Sequence, residues 1–391
     1  MKLLQVIPTL TVKHGGTRVV SYLISKELAK RGHEITIFTS DVDLSQELTK
    51  TLQCHQIKVR SFKATLKKVT YAQKYYITLG LMKKEVLEAI KHFNVIHLHG
   101  YRTFQNVILH YHAKKSNIPY ILQAHGSIPR KGKQWLKWFY DVLFGYRLLR
   151  DASKVIALSR VEAEQYKSMG VPEEKIAIIP NGIDLSEYIE LPPKGTFKKK
   201  FNIPEAKKII LYLGRIHETK GIDFLVKAYA HLKNEMHFKD AILVIAGPDD
   251  GYLGEVKHLV QELDISSSVL FTGPLYGKDK ISAYVDSDVY VLPSRYETFP
   301  MTVLEAYACG TPVIASKVGG LMDLVIEGVT GLLFESGDVM ELAKSIFLLL
   351  DNQEKAEDMG LKGRQLVKEK FSIESVVDKL ERVYKEVISG W

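Results

Sequence analysis

Cysteine is nearly absent. Cys54 and Cys309 are the two in 391 residues, and neither stands in a Cys-x-x-Cys or Cys/His spacing. That excludes a disulfide framework and a structural zinc site, and it suits a reducing compartment. Long apolar runs are also missing, since none approaches the roughly 20 residues of a bilayer-spanning helix. The opening stretch, Met1–Leu10, carries one lysine and runs into a Gly/Thr turn with no small-residue cleavage pattern, so it reads as a strand and not a secretory leader. A cytoplasmic protein is expected, at most peripheral to a membrane. Neither low-complexity tracts nor a repeat of about 20 to 50 residues occurs. With 46% hydrophobic and 25% charged residues, disorder, collagen and coiled coil are excluded. Acidic residues are scarce in one half only. Residues 1–193 hold 29 Lys and Arg against 16 Asp and Glu, whereas residues 194–391 hold 25 against 29. A basic half points to an anionic partner such as nucleic acid, phospholipid or a phosphorylated substrate; the plainer reading is a solvated lysine-rich surface.

The length suits two cores of ordinary size, because domains run roughly 100 to 200 residues. Short apolar runs alternate with helical patterns in both halves. Strand-like runs include Leu3–Ile7, Glu34–Phe38, Gln56–Val59, Val95–Leu98 and Tyr120–Gln123, then Lys208–Leu213, Ala241–Ala246, Val289–Leu292 and Pro312–Ala315. Helix-like stretches between them include Gly16–Arg31, Gly221–Lys233, Met301–Ala308 and Val339–Asp351. This alternation predicts parallel sheets with right-handed crossovers, hence two doubly wound α/β domains. The domains are expected at 1–189 and 201–372, with the Pro/Gly/Lys-rich 190–200 as linker, since two prolines and a glycine oppose helix and central strand. The amphipathic end, 373–391, is expected to pack back on the first domain.

Open parallel sheets bind ligands at the carboxyl ends of their strands, so the turns after strands are where chemistry is sought. The first ends in Gly15-Gly16-Thr17-Arg18, where backbone N–H groups can approach an anion at a helix start. It lacks the Gly-x-Gly-x-x-Gly of dinucleotide folds. The second, Leu213–Gly221, offers Arg215 and Lys220, a guanidinium fork and an ammonium suited to a diphosphate. The third holds Glu297 and, eight residues on, Glu305 in the helix beginning near Met301. That helix has little polar face, so Glu305 requires a hydrogen-bond donor such as a ligand hydroxyl. Asp249-Asp250 and Asp286-x-Asp288 imitate a metal-binding pair, but their places beside strand ends favour structural use.

The combination resembles the retaining glycosyltransferases of family 4, with the GT-B fold (glycosyl transferases group 1). The residues that carry the likeness are Glu297-x7-Glu305, Gly214-Arg215 with Lys220, Pro293-Ser294, Ala308–Ala315 leading to Val318-Gly319-Gly320, Ile179–Asp184, Gln123-Ala124-His125-Gly126, and Gly15-Gly16. The resemblance implies two Rossmann-like domains facing across a cleft, and transfer of a hexose from a nucleotide-diphosphate sugar, UDP-linked by preference and GDP-mannose next. It implies that Arg215 and Lys220 hold the diphosphate, that Glu305 accepts from ribose hydroxyls, and that Glu297 and the Phe299-Pro300-Met301 backbone meet the sugar. Gly319 and Gly320 would open a helix near sugar and phosphates, Gly273 would face the base, and His125 would stand near the donor sugar. Catalytic roles are implied for Arg215, Lys220, Glu297 and His125. No metal and no further cofactor is implied. Asp323 stands where the family often has Glu, and Thr298-Phe299-Pro300 where many members have Gly-Phe-Gly.

The acceptor, a saccharide or lipid-linked glycan, is expected on the basic half. Residues 130–150 mix Lys131, Lys133, Lys137, Arg147 and Arg150 with Trp135, Trp138 and Phe139, as helices at anionic membrane surfaces do; the alternative is that the aromatics pack inward. Lys63–Lys84, with Tyr71, Tyr75 and Tyr76, is a second such surface. No nucleic-acid-binding motif accompanies the basic residues. Rival readings are a nucleotide-sugar 2-epimerase of the same architecture and a non-catalytic partner subunit.

Overall fold

A computed structural model describes residues 1–10, 16–42, 44–65, 77–130, 132 and 134–391, with the backbone alone at Thr17. The chain divides into two compact units, Met1–Gly182 with Ile373–Trp391, and Ile183–Ser372.

In the first unit, seven strands form an all-parallel sheet: β1 (Lys2–Val6), β2 (Glu34–Ser40), β3 (Lys58–Phe62), β4 (Val95–His99), β5 (Tyr120–Gln123), β6 (Lys154–Ala157) and β7 (Ile176–Ile178). Their order is β3-β2-β1-β4-β5-β6-β7. In the second unit six parallel strands, β8 (Lys208–Leu213), β9 (Ala241–Ala246), β10 (Val269–Gly273), β11 (Val289–Leu292), β12 (Val313–Ser316) and β13 (Gly331–Phe334), lie in the order β10-β9-β8-β11-β12-β13. Both orders reverse direction once, between β1 and β4 and between β8 and β11. Each unit is therefore Rossmann-like, with a switch point at those places.

The central strands are buried on both faces, and so read as nearly unbroken apolar runs such as Ile209–Leu213 and Val289–Leu292. β4 departs from that rule. His97 and His99 are buried in it, on one face, with ring centroids 4.1 Å apart. Buried partners meet three of their four ring nitrogens, His97 Nε2 being the exception. His99 Nε2 lies 2.7 Å from Gln5 Oε1, and His97 Nδ1 lies 2.7 Å from the Tyr384 hydroxyl.

Tyr384 belongs to the last helix, Ile373–Ser389, whose apolar side chains recur at helical spacing and are buried. That helix packs on Gly16–Lys30 and β4 of the first unit. Polar contacts hold its other flank: Arg31 Nη1 donates to Asp378 at 2.6 Å, and His33 Nε2 meets Glu381 at 2.6 Å.

The chain passes between units at Gly182–Ile183 and Ser372–Ile373, not within 190–200. The Pro/Gly/Lys stretch belongs wholly to the second unit. Gly195, at φ 92°, opens a short helix over Thr196–Lys200. The Asp286 carboxylate accepts from the N–H groups of Gly195 (2.6 Å) and Lys198 (2.9 Å), and Phe197 is fully buried. A distant carboxylate satisfies the helix start, which nothing local in the sequence announces.

Candidate active site

The turns at the ends of β8 and β11 meet at the second unit's switch point because glycines let their backbones touch. Gly221 takes φ +64°, and a Cβ there would fall 2.0 Å from the Pro293 carbonyl oxygen. Gly319 takes φ +52°, and a Cβ there would fall 1.8 Å from the Glu297 carbonyl oxygen. No side chain fits either contact. Arg295 fastens the same two turns. Its guanidinium grips Asp223 at 2.7 and 2.8 Å and donates to the Glu218 carbonyl at 2.8 Å, while its backbone N–H donates to the Thr219 carbonyl.

On this platform Lys220 Nζ donates to Glu297 Oε1, and the Ser294 hydroxyl donates to the same oxygen at 3.0 Å. Glu297 is 8% exposed, so its carboxylate is fixed by two donors in a largely dry setting. Arg215 pairs with Asp250 but stays 55% exposed, its guanidinium still open to a further anion. Asp249 accepts from the N–H groups of Gly251, Tyr252 and Leu253. Asp288 accepts from the Ile209 N–H at 2.7 Å. All four aspartates of the two metal-like pairs thus hold protein groups. Among the described residues, no cluster of three or more His, Cys, Asp or Glu is placed to hold a metal ion.

Glu305 lies in Met301–Ala308 with Pro300 at its cap. The sequence predicted a donor for its carboxylate, and two come from the protein. Lys280 Nζ donates at 2.7 Å and the Tyr284 hydroxyl at 3.1 Å, both from the helix Gly277–Asp286. Neither was anticipated, although their spacing of four places them on one helix face. Phe299 and Pro300 are buried and Met301 partly so. Gly320 donates its N–H to the Glu297 carbonyl at 3.2 Å, beside a four-residue helix, Leu321–Leu324. Gly273 ends β10 at φ +73°, with open space around its α-carbon.

His125 belongs to the first unit, directly after β5. It adopts φ +51°, uncommon for a residue with a side chain. Its Nε2 lies 2.9 Å from His99 Nδ1, with the rings stacked at 5.2 Å. Burial pushes its imidazole down to about 3, so it is neutral near pH 7. The Gly126 N–H donates to Glu162 at 2.5 Å, and desolvation pushes that carboxyl up to about 7. Gly16 starts the helix Gly16–Lys30, whereas Gly15 lies outside the described residues. Lys220, Glu297 and Glu305 with its two partners are thus gathered in one unit, and His125 in the other.

Two family models match the chain, "glycosyl transferases group 1" over residues 193–366 and "glycosyltransferase family 4" over residues 14–187. The chain belongs to the family 4 glycosyltransferases and has their GT-B fold. Among its relatives is the N-acetyl-alpha-D-glucosaminyl L-malate synthase of Bacillus anthracis, 28% identical over 96% of this chain and 94% of the relative. A D-inositol 3-phosphate glycosyltransferase of Kineococcus radiotolerans is 25% identical over 88% of this chain and 85% of its own. Anabaena HepE, solved in complex with UDP, superposes with a TM-score of 0.81 over 99% of this chain and all of its own, at 20% identity.

Proposed function

We propose that this glycosyltransferase moves a hexose-type sugar from a nucleotide-diphosphate sugar to a saccharide or lipid-linked acceptor, with retention of configuration and without a metal ion. The observation that carries the donor assignment is the meeting of Lys220 with Glu297 at the β8/β11 switch point, beside Arg215. Lys220 and Arg215 supply the positive charge that a leaving nucleoside diphosphate needs as its bond to the sugar breaks, the task a metal performs elsewhere. Glu305, held by Lys280 and Tyr284, keeps lone pairs for ribose hydroxyls. Glu297, with the Phe299–Met301 backbone and Gly319-Gly320 beside it, faces the sugar, and Gly273 leaves room for the base. His125, neutral, is a hydrogen-bonding partner for a sugar hydroxyl and not a cation.

Retention follows by departure and attack on the same face, the leaving phosphate oxygen taking the acceptor's proton. UDP-sugars are the first donors to test, because HepE was solved with UDP and with UDP-glucose; GDP-mannose is the next. The relatives named for L-malate and inositol 3-phosphate favour a second reading of the acceptor, as a small anion drawn to the basic first half.

Thermal shifts against UDP, GDP and their sugar conjugates in EDTA, for wild type and Glu305→Ala, test the donor site. A nucleotide at 100 times its dissociation constant stabilises by about 2.7 kcal/mol. Stabilisation of the wild type and not the variant is expected. No stabilisation by any nucleotide would revive the partner-subunit reading. The anomeric proton coupling of the product, read by NMR, tests retention.

A further inference from the structure

The segment from Gln134 to Asp151 is helical throughout, with one wider turn over Asp141–Gly145; its end buries Leu148 and Leu149, but its first half is folded inside out. What it buries in its first half is polar. Asp141 is fully buried, accepting from Arg102 Nε and Nη2 at 2.9 and 2.8 Å and from Arg130 Nε at 2.7 Å. The Tyr140 hydroxyl donates toward the Tyr101 and Thr103 carbonyls, each 3.3 Å away. Gly145 lies so close to the Tyr101 hydroxyl that a Cβ there would approach within 2.2 Å. What it exposes is apolar. Trp135 is 71% exposed, and Trp138, Phe139, Leu143 and Phe144 are exposed with it. Soluble surfaces rarely gather such a patch unless something covers it.

We propose that this face docks on an anionic lipid bilayer, which deepens the transferase reading by assigning the acceptor's carrier to a membrane surface. Charge selects the occupant. Residues 130–150 contain six Lys and Arg and one carboxylate, Asp141, which the clamp hides completely. The face therefore carries a net positive charge, Arg147 among its cations, while Arg150 pairs with Asp151 at 3.2 Å. A second copy of the chain, meeting this face through a two-fold axis, would set those cations against their own images. A bilayer of anionic headgroups takes both features together, with indole rings at the interface and cations among the phosphates. The Arg102–Asp141–Arg130 clamp gives the helix a rigid base, so its aromatic side chains face outward as an ordered set.

The test needs neither donor nor acceptor. The full chain is sedimented with phosphatidylcholine vesicles, with or without about one third phosphatidylglycerol, at low and high salt. Wild type is compared with a Trp135→Ser/Phe139→Ser double variant, whose substitutions touch exposed positions, and with Arg147→Glu. The proposal expects at least tenfold more wild-type protein on anionic than on neutral vesicles, lost by more than tenfold in both variants and weakened by salt. It also expects a blue shift of tryptophan fluorescence on binding in a Trp391→Phe background, where Trp135 and Trp138 are the remaining reporters. Equal sedimentation of wild type and variants overturns it, as does a wild-type dimer in analytical ultracentrifugation that the double variant abolishes. A protein that binds these vesicles but is stabilised by no nucleotide keeps the membrane face and loses the transferase reading. One stabilised by a nucleotide and indifferent to vesicles does the reverse.

Discussion

Three neutral histidines in one small volume give the first unit a built-in sensitivity to acid. Burial pushes His97 and His125 down to about 3 and His99 well below its usual value. In the unfolded chain each takes a proton near pH 6.5. Between about pH 3 and 6.5 the unfolded state therefore binds more protons, and stability rises with pH across that window. Glu162 works the other way. Its carboxyl is pushed up to about 7 from 4.5, so the folded state holds its proton longer and loses stability as pH rises through that range. Three groups against one leave the histidines dominant below about pH 6.5. Urea midpoints should rise from about pH 5 to pH 7, and a His97→Gln variant should show a shallower slope; a flat wild-type profile contradicts this. At the second unit's site, Lys220→Ala removes a charge-assisted contact of about 1.5–3 kcal/mol, so nucleotide binding should weaken tenfold to a hundredfold in calorimetric titration.

Elements were legible where burial imposed a simple pattern. Met301–Ala308 and Val339–Asp351 carry dense apolar runs bounded by Pro300 and Asp338, and they form helices over those spans. β3 begins at Lys58 and not Gln56, since this edge strand has exposed polar residues and no two-sided apolar run. Less legible were partnerships across sequence distance. Nothing local announces that Asp286 caps the helix at Thr196 or that Lys280 and Tyr284 hold Glu305. In the helix from Gln134 the aromatic side chains are exposed, against the inward-packing alternative, but nothing local announces that Asp141 is buried under Arg102 and Arg130. Close backbone approach was hidden for the same reason. Gly319→Ala should push the Glu297 backbone aside, at about 1–3 kcal/mol of overpacking or more, given the positive φ. Nucleotide-induced stabilisation should be lost while circular dichroism is retained; an unchanged dissociation constant would show the contact to be slack.

At the scale of the whole molecule, the first unit is completed by the last 19 residues of the chain, Ile373–Trp391. Six of the apolar side chains buried there, Ile373, Val376, Val377, Leu380, Val383 and Val387, contribute on the order of 10 kcal/mol, comparable with the whole stability of an ordinary domain. A chain ending at Ser372 should therefore lose the cooperative unfolding of the first unit in calorimetry, while the second keeps its transition and its response to nucleotide. Loss of both transitions, or of neither, would show the helix to have a different role.

The same closure sets an order of events in the cell. A ribosome delivers the first 182 residues early, yet the groove between Gly16–Lys30 and β4 must stay open until the final helix emerges. At about 5–20 residues per second, the intervening 190 residues take roughly 10 to 40 s. The second unit, continuous in sequence, can close during that interval. The unit whose sheet is made before the second unit is the one that closes after it, and its apolar groove is what a chaperone would meet on the nascent chain.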